Sequence, residues 1–321
     1  MIYDYYELFT ESLKLIGFDS NLVRYIYNGL TKHTFFVNYG LKSEFVVRTG
    51  GLFFKEQVMG KRVGDIAVEI EPVSCKHMVV LGATSEIAVA TLKEFAKKGQ
   101  WHFSLCGRNE EALLHLAGEL VSNNVSCSCH YYDTTMSAED MQKLWESLVK
   151  ERRVEVLFCA VGYLGDQKLA QDCPDEGQLI FEANFNGLVP MIAFAANYFE
   201  GLKQGHIMVI SSVAGDRGRC SNYYYGASKA AMSAYLSGLR VRLYSKGVHV
   251  INIKPGYVKT RMVAHKKLPP YISASVETVA HDIVNSYYKP KAVVYTMWLW
   301  SYIMLATKML PDFIFKRLSM F

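Results

Sequence analysis

The feature that most constrains this chain is an alternation that begins near Lys76 and runs almost to the C-terminus. Short apolar runs stand at His77–Leu81, His102–Cys106, Val125–Tyr132, Val154–Cys159, His206–Ile210, His249–Ile253 and Val293–Thr296. Helical patterns separate them at Ala88–Lys98, Glu110–Ser122, Ala138–Lys150, Gln178–Phe199, Tyr225–Lys246 and Val276–Tyr288. A strand buried on both faces reads as a continuous apolar run, and parallel neighbours must be joined by a crossover, usually a helix. The pattern therefore predicts an α/β fold with a doubly wound parallel sheet. Residues 1–75 do not keep this rhythm. They carry helix-like stretches at Tyr3–Leu15 and Asn21–Thr31 and strand-like pieces at Phe45–Val47, Leu52–Phe54 and Asp65–Glu71. The expected division is an N-terminal extension over 1–75 with a packing or interaction role, a main domain over 76–296, and an apolar, basic tail over 297–321.

Composition excludes several classes. Half the residues are hydrophobic and a fifth are charged, enough for a large core and against global disorder. The net charge of +5 is too weak for a nucleic-acid footprint, but it suits an anionic small molecule or an anionic membrane surface. The seven cysteines form no C-x-x-C pair, so neither a zinc site nor a dithiol centre is expected. Several lie in apolar runs, which points to free thiols in a reducing, cytoplasmic compartment. The first ten residues carry Asp4 and Glu7 and no basic start, unlike a signal peptide. The uncharged segment Ala292–Thr307 begins strand-like and leaves about 14 residues before Pro311, or roughly 21 Å of helix. A hydrocarbon core of about 30 Å needs more.

Chemistry concentrates where the apolar runs end. The first run leads into Leu81-Gly82-Ala83-Thr84-Ser85-Glu86-Ile87-Ala88. A strand-to-helix turn presents backbone N–H groups and a positive dipole end to a pyrophosphate, and small residues permit close approach. This makes Gly82, Thr84, Ser85, Glu86 and Ile87 candidates for holding a dinucleotide, although an ordinary turn reads the same way. The second run ends in Arg108 with no acidic residue to bind a ribose hydroxyl, which favours the 2′-phosphate of NADP(H) over NAD(H). Asp133, closing the third run, can accept from an adenine amino group or serve as a turn residue ahead of Ser137. Ala160 and Gly162, after the fourth, are small enough for a cofactor to pass.

Tyr223, Tyr224 and Tyr225 stand in a row, but only Tyr225 has a lysine four residues on, Lys229. That spacing puts both on one helix face. A phenol with a pKa of about 10 exchanges protons poorly at neutral pH, and a nearby ammonium lowers it. Lys229 can also bond the nicotinamide ribose. Ser212, thirteen residues before Tyr225, can hold a carbonyl or alcohol beside the phenol. Asn184, costly inside a helical pattern, can link Lys229 to solvent through water. Pro255, Gly256, Val258 and Thr260 follow the sixth run, with Thr260 available to the carboxamide.

Taken in order and spacing, Gly82–Ala88, Ser212, Tyr225-Gly-Ala-Ser-Lys229 and Pro255–Thr260 resemble the motifs of the short-chain dehydrogenase/reductase family. The resemblance covers the chain from about Lys76 onward. It implies a Rossmann-type sheet of order 3-2-1-4-5-6-7, hydride transfer at nicotinamide C4, a Ser212–Tyr225–Lys229–Asn184 tetrad, and a homodimer or homotetramer. Glu86 departs from it in place of a loop glycine, as does Cys159 in place of an asparagine. A narrower stretch, Gly215-Asp-Arg217-Gly-Arg219-Cys-Ser-Asn-Tyr-Tyr-Tyr225 with Thr260-Arg-Met and Leu310–Leu318, is similar to the 2-keto reductase subunit of decaprenylphosphoryl-ribose epimerase and its bacterial relatives, where Glu86 is usual. That similarity implies a keto sugar on a polyprenyl phosphate as substrate.

The reading is an NADP(H)-dependent oxidoreductase, with NAD(H) as second choice, interconverting a ketone and a secondary alcohol. Arg217, Arg219 and Arg261 are candidates for a substrate phosphate. Trp298–Phe321, aromatic and apolar with Lys308, Lys316 and Arg317, suits either an interfacial helix at the inner face of a membrane or a helix packed on the protein. Rival readings are a reductase of another lipid ketone (3-ketosphinganine or 3-oxoacyl type), an inactive cofactor-binding scaffold, and a membrane-associated assembly partner. No metal is expected.

Overall fold

A computed structural model describes residues 44–49, 52–57, 75–122, 124–263 and 269–317. The chain divides into two compact units, Met1–Ser74 and Cys75–Phe321. In the first, β1 (Glu44–Thr49) and β2 (Leu52–Gln57) pair antiparallel, Thr49 opposite Leu52. They contain the strand pieces expected at Phe45–Val47 and Leu52–Phe54. The expected helices Tyr3–Leu15 and Asn21–Thr31 and the strand Asp65–Glu71 lie outside the described residues.

In the second unit the alternation becomes a seven-stranded parallel sheet. Its strands are β3 (Lys76–Leu81), β4 (Trp101–Gly107), β5 (Val125–Tyr131), β6 (Val156–Cys159), β7 (Gly205–Ile210), β8 (Val248–Pro255) and, past two short strands, β11 (Val293–Thr296), in the order β11-β8-β7-β6-β3-β4-β5. Counted along this sheet alone, the order is 3-2-1-4-5-6-7. Successive strand residues face opposite ways, and helices cover both sides. Met78, Val80, Phe103 and Leu105 pack with Leu92 and Phe95 of α1 (Glu86–Ala96), Leu113 and Leu116 of α2 (Glu110–Leu120) and Ile283 of the later Val276–Tyr288 helix. Val79, Leu81 and Leu157 pack on the other side with Trp145 of α3 (Ala138–Glu151), Phe199, and Met232 and Leu236. Ser85, Asn109 and Ser137 cap α1, α2 and α3, each accepting from the N–H three residues on.

Two local readings change. The helix read at Gln178–Phe199 is broken into α5 (Pro174–Phe181), a π-helical turn at Glu182–Asn186, and α6 (Val189–Leu202). Pro190 cannot donate into a continuous ladder, and Gly187 lies so close to Thr134 that a Cβ would fall 2.2 Å from its carbonyl oxygen. A short helix, α4 (Gln167–Asp172), precedes α5, and two two-residue strands, β9 (Tyr257–Val258) and β10 (Ser273–Ala274), pair parallel beyond β8. Elements this short carry no periodicity to read. As its strand-like start implied, Ala292–Thr307 divides into β11 and α9 (Leu299–Met309). After α7 (Tyr223–Leu243) and α8 (Val276–Tyr288), α9 lies against the unit through Trp300 and Met304, which are buried with Val213. It is followed by α10 (Asp312–Phe315). The described stretch long and apolar enough to cross a membrane is 174–202, and Met191, Ile192, Ala195, Ala196 and Phe199 of it are buried in the core.

Candidate active site

The first turn is set by one glycine. Gly82 has φ +76°, and a Cβ there would fall 2.8 Å from Val161 Cγ2 and 2.9 Å from its backbone nitrogen. A side chain is therefore excluded by backbone strain and by space together. The turn is tied down by Gly82 N–H and Ala83 N–H, both donating to Cys106 O, at 2.9 and 3.2 Å. Ser85 is spent as the α1 cap, receiving Ala88 N–H at 3.2 Å. Ile87 packs against the core. Glu86 faces outward to the loop beyond β8, where one carboxylate oxygen accepts from Arg261 N–H at 2.7 Å and the other lies 3.6 Å from its Nε. Arg261 thus meets a carboxylate of its own chain, and Glu86 ties two loops together. Thr84, Asn109, His115 and Arg261 line a cleft of about 400 Å³ between α1 and α2. This cleft contains neither Ser212 nor Tyr225.

Arg108 is largely exposed just past β4, its Nε 3.6 Å from Asp133 Oδ2. The other Asp133 oxygen accepts from the N–H and hydroxyl of Thr135, both at 2.8 Å. Asp133 therefore acts as the turn residue, and its second oxygen faces Arg108. Past β6, Ala160 N–H donates to Leu81 O at 2.8 Å, which draws Ala160–Gly162 level with the first turn.

The catalytic candidates converge from three elements. Ser212, ending the extended run after β7, caps a 3-10 turn over Val213–Gly215. Close packing sets this turn on α7. A Cβ on Gly215 would lie 2.7 Å from the Lys229 carbonyl carbon, and one on Gly226 would lie 2.9 Å from Ala214 O. Such contact sets the Ser212 hydroxyl beside the Tyr225 phenol. Its neighbour Ser211 turns the other way, to Lys229 O at 3.1 Å and Ser233 Oγ at 3.0 Å. Tyr224 stacks on Tyr223 and presses on Gly177. Of the three tyrosines, Tyr225 is the one that meets Ser212.

Lys229 is 1% exposed. Its Nζ donates to Ile210 O at 3.1 Å and sits 5.7 Å from the Tyr225 ring centroid. Burial pushes the Tyr225 phenol up to about 12, against a downward pull from the neighbouring Ser212 hydroxyl, and pushes the Lys229 ammonium down to about 8. The expected lowering of the phenol by Lys229 is therefore not present in this arrangement, because desolvation outweighs an ammonium held off by the Ile210 carbonyl.

Asn184 stands in the π-turn. Its amide nitrogen donates to Tyr163 O at 2.7 Å and Ile180 O at 2.9 Å, while Tyr163 N–H donates back to Oδ1 at 3.0 Å. The side chain clamps the loop after β6, and the second lone pair of Oδ1 is left over. Gly162 marks the shared space, since a Cβ on it would lie 3.6 Å from Asn184 Oδ1 and 3.7 Å from Lys229 Nζ. The far end of that loop is fixed by Glu176, whose Oε1 accepts from Tyr163 OH at 3.0 Å and Asp166 N–H at 2.9 Å.

Pro255 ends β8, and Val258 is buried. Thr260 Oγ1 lies 3.5 Å from Val258 O. Gly256 lies under the Trp300 indole, where a Cβ would fall 1.9 Å from Cε2. Two further contacts escape the sequence reading. Asp216 bonds Lys254 Nζ at 2.5 Å and Tyr295 OH at 2.7 Å, a buried network beside the Ser212 turn. Its one signal is a lysine inside the apolar run Ile251–Pro255. Arg217, expected at a substrate phosphate, is instead spent on the C-terminal segment. It donates to Thr307 O at 2.6 Å and Leu310 O at 2.5 Å, pairs with Asp312 at 2.6 Å and lies 3.9 Å over the Phe315 ring. Arg219 is buried against Met304, 3.5 Å from its Sδ. Among the described residues no group of acids, histidines and cysteines forms a metal site.

The comparisons bear on the family and the fold. The sequence model of the short chain dehydrogenase family matches residues 76–269. An uncharacterized oxidoreductase of Mycobacterium tuberculosis is 28% identical over 246 residues, 75% of this chain and 96% of that protein. A short-chain dehydrogenase from Sphingobium yanoikuyae in complex with NADPH superposes with a TM-score of 0.64 at 20% identity, covering 74% of this chain and 97% of that one. The actinorhodin polyketide ketoreductase with NADPH gives 0.61 at 22% identity, over 68% and 95%. Likeness at these identities establishes the shared fold.

Proposed function

We propose a function from one premise: this chain belongs to the short chain dehydrogenase family. It is an oxidoreductase that interconverts a ketone and a secondary alcohol, with NADP(H) preferred and NAD(H) as the alternative. The observation that carries this reading is the Ser212 hydroxyl set beside the Tyr225 phenol, with Lys229 buried one helical turn on.

The residues fit a dinucleotide. The Gly82 turn, closed to any side chain, opens α1 at its positive end, and Ala160–Gly162 lie level with it. Gly82, Thr84, Ile87, Ala160 and Gly162 would hold the pyrophosphate side, Arg108 the 2′-phosphate and Asp133 the adenine end. Pro255, Gly256, Val258 and Thr260 would hold the nicotinamide end. Ser85 and Glu86 would act indirectly, as cap and loop tie. When bound, the nicotinamide supplies or takes up a hydride.

In reduction, Ser212 holds the substrate oxygen next to the Tyr225 phenol. The phenol gives its proton to that oxygen as hydride reaches the carbonyl carbon, which leaves a secondary alcohol and a tyrosinate. Lys229, charged below about pH 8, lies on the side where that anion forms and favours it electrostatically. Asn184 keeps the Tyr163 loop in place against the same space. Tyr225→Phe is expected to abolish turnover while NADPH titration still shows binding; turnover retained in that variant overturns the assignment.

For the substrate, we favour a keto sugar on a lipid-linked phosphate, on the strength of Gly215–Tyr225 and the Thr260-Arg-Met motif. Of the three arginines considered for its phosphate, Arg261 alone remains in an exposed loop. Turnover of such a substrate by purified protein, set against 3-oxoacyl and 3-ketosphinganine chains, tests this choice. Preference for either of the latter replaces it.

A further inference from the structure

The C-terminal helix α9 is apolar on both sides. Trp300, Met304 and Thr307 form its buried face. On the opposite face Trp298, Tyr302, Leu305 and Met309 are 74, 63, 56 and 75% exposed, and Phe313 of α10 continues the stripe at 59%. The spacing i, i+4, i+7, i+11 aligns these side chains in a single row. A helix apolar all round is normally covered on every side, and contiguous exposed apolar surface of this kind marks an interaction site. We propose that this face docks on an anionic lipid surface.

Charge selects that occupant. Lys308 stands beside the stripe, and Lys316 and Arg317 follow it, all exposed. The only acid in this segment, Asp312, is already paired with Arg217. A twofold contact with a second copy would set these cations against their own images, whereas anionic headgroups complement them. Trp298 and Tyr302 have the apolar body and polar tip that suit a headgroup boundary, and Lys308 can extend from the flank of the stripe. The helix is held firmly for such docking. Trp300 Nε1 donates to Ile272 O at 3.1 Å, and Arg217 takes the carbonyls of Thr307 and Leu310 at the helix end. The docking face is independent of which ketone the enzyme reduces.

The test is co-sedimentation of the full chain with vesicles of phosphatidylcholine alone and of phosphatidylcholine with phosphatidylglycerol, with light scattering for mass and NADPH-dependent reduction of a soluble ketone as a control. The chain is expected to partition onto the anionic vesicles and to lose that partition as salt rises. The triple change K308Q/K316Q/R317Q is expected to weaken it about 100-fold, since each cation near an anionic surface contributes about fivefold. Leu305→Ser with Met309→Ser is expected to abolish it, and both sets of variants should keep the control turnover. Absence of sedimentation with anionic vesicles overturns the proposal, as does a dimer that becomes a monomer on Leu305→Ser with Met309→Ser. Loss of the control turnover in the wild-type chain would instead count against the reductase reading and leave the docking result standing.

Discussion

The cost of burying Lys229 gives the site a measurable pH signature. The ammonium titrates near 8 in the folded protein and at 10.5 when free. Between those values the unfolded chain binds more protons, so folded stability rises with pH across that window. Compared with Lys229→Met, which lacks the group, the wild-type unfolding free energy should gain roughly 2–3 kcal/mol between pH 8 and pH 10. Denaturant unfolding at the two pH values measures it, and a flat difference between the two proteins would show that Lys229 is not desolvated. Turnover in the reducing direction should decline over the same range as the ammonium is lost. At the other end of the dinucleotide, Arg108→Asp is expected to shift the NADP/NAD preference by about 10–100-fold, the worth of a charge-assisted hydrogen bond. Initial rates with each cofactor read this directly. Lys229 was picked from sequence by its spacing from Tyr225 together with Ser212 upstream and the motif order around them. Its partner at Ile210 O was not legible, because a carbonyl leaves no mark in a sequence.

Among the elements, α9 is the one whose importance the sequence understated. Read as part of a tail, it proves to be a wall of the site. Trp300 covers Gly256, and Val213, next to Ser212, packs against Trp300 and Met304. Gly256→Ala places a methyl inside the indole, so it should lower thermal stability and weaken NADPH binding. Trp300→Ala alone is expected to cost about 3–5 kcal/mol, yet in the double variant the two losses should fall well short of their sum. Calorimetry on the four proteins decides the matter, and strict additivity would mean that the two residues do not press on each other. The break between α5 and α6 carries a similar lesson. Apolar spacing continues through Glu182–Asn186, but the amide of Asn184 finds better partners on the Tyr163 loop than a regular helix would give it.

For the whole molecule, the unit Cys75–Phe321 holds both core layers and every candidate site residue. A chain beginning at Cys75 is therefore expected to fold and to bind NADPH, as far-UV circular dichroism and a fluorescence titration can show. Failure to fold would assign residues 1–74 to its stability. The unit also desolvates two histidines, the buried His77 and the half-buried His206, both pushed down to about 4. Their free value is 6.5, so their neutral forms support the fold above that pH, and the contribution is lost as pH falls toward 4. The unfolding midpoint should drop over this interval, and His206→Phe should flatten part of the drop.

What the sequence determined by itself was periodic or motif-bound. The strand–helix alternation carried the parallel sheet, because strands covered on both faces must be apolar throughout. The i, i+4 pair of Tyr225 and Lys229 identified the candidate catalytic helix face, because helical geometry fixes which side chains are neighbours. Tertiary structure decided the contacts between residues far apart in the chain: Glu86 with Arg261, Asp216 with Lys254 and Tyr295, Arg217 with the end of α9, Gly256 with Trp300. It also decided the protonation balance at Tyr225 and Lys229, since desolvation depends on what the whole fold packs around a group and not on its neighbours in sequence.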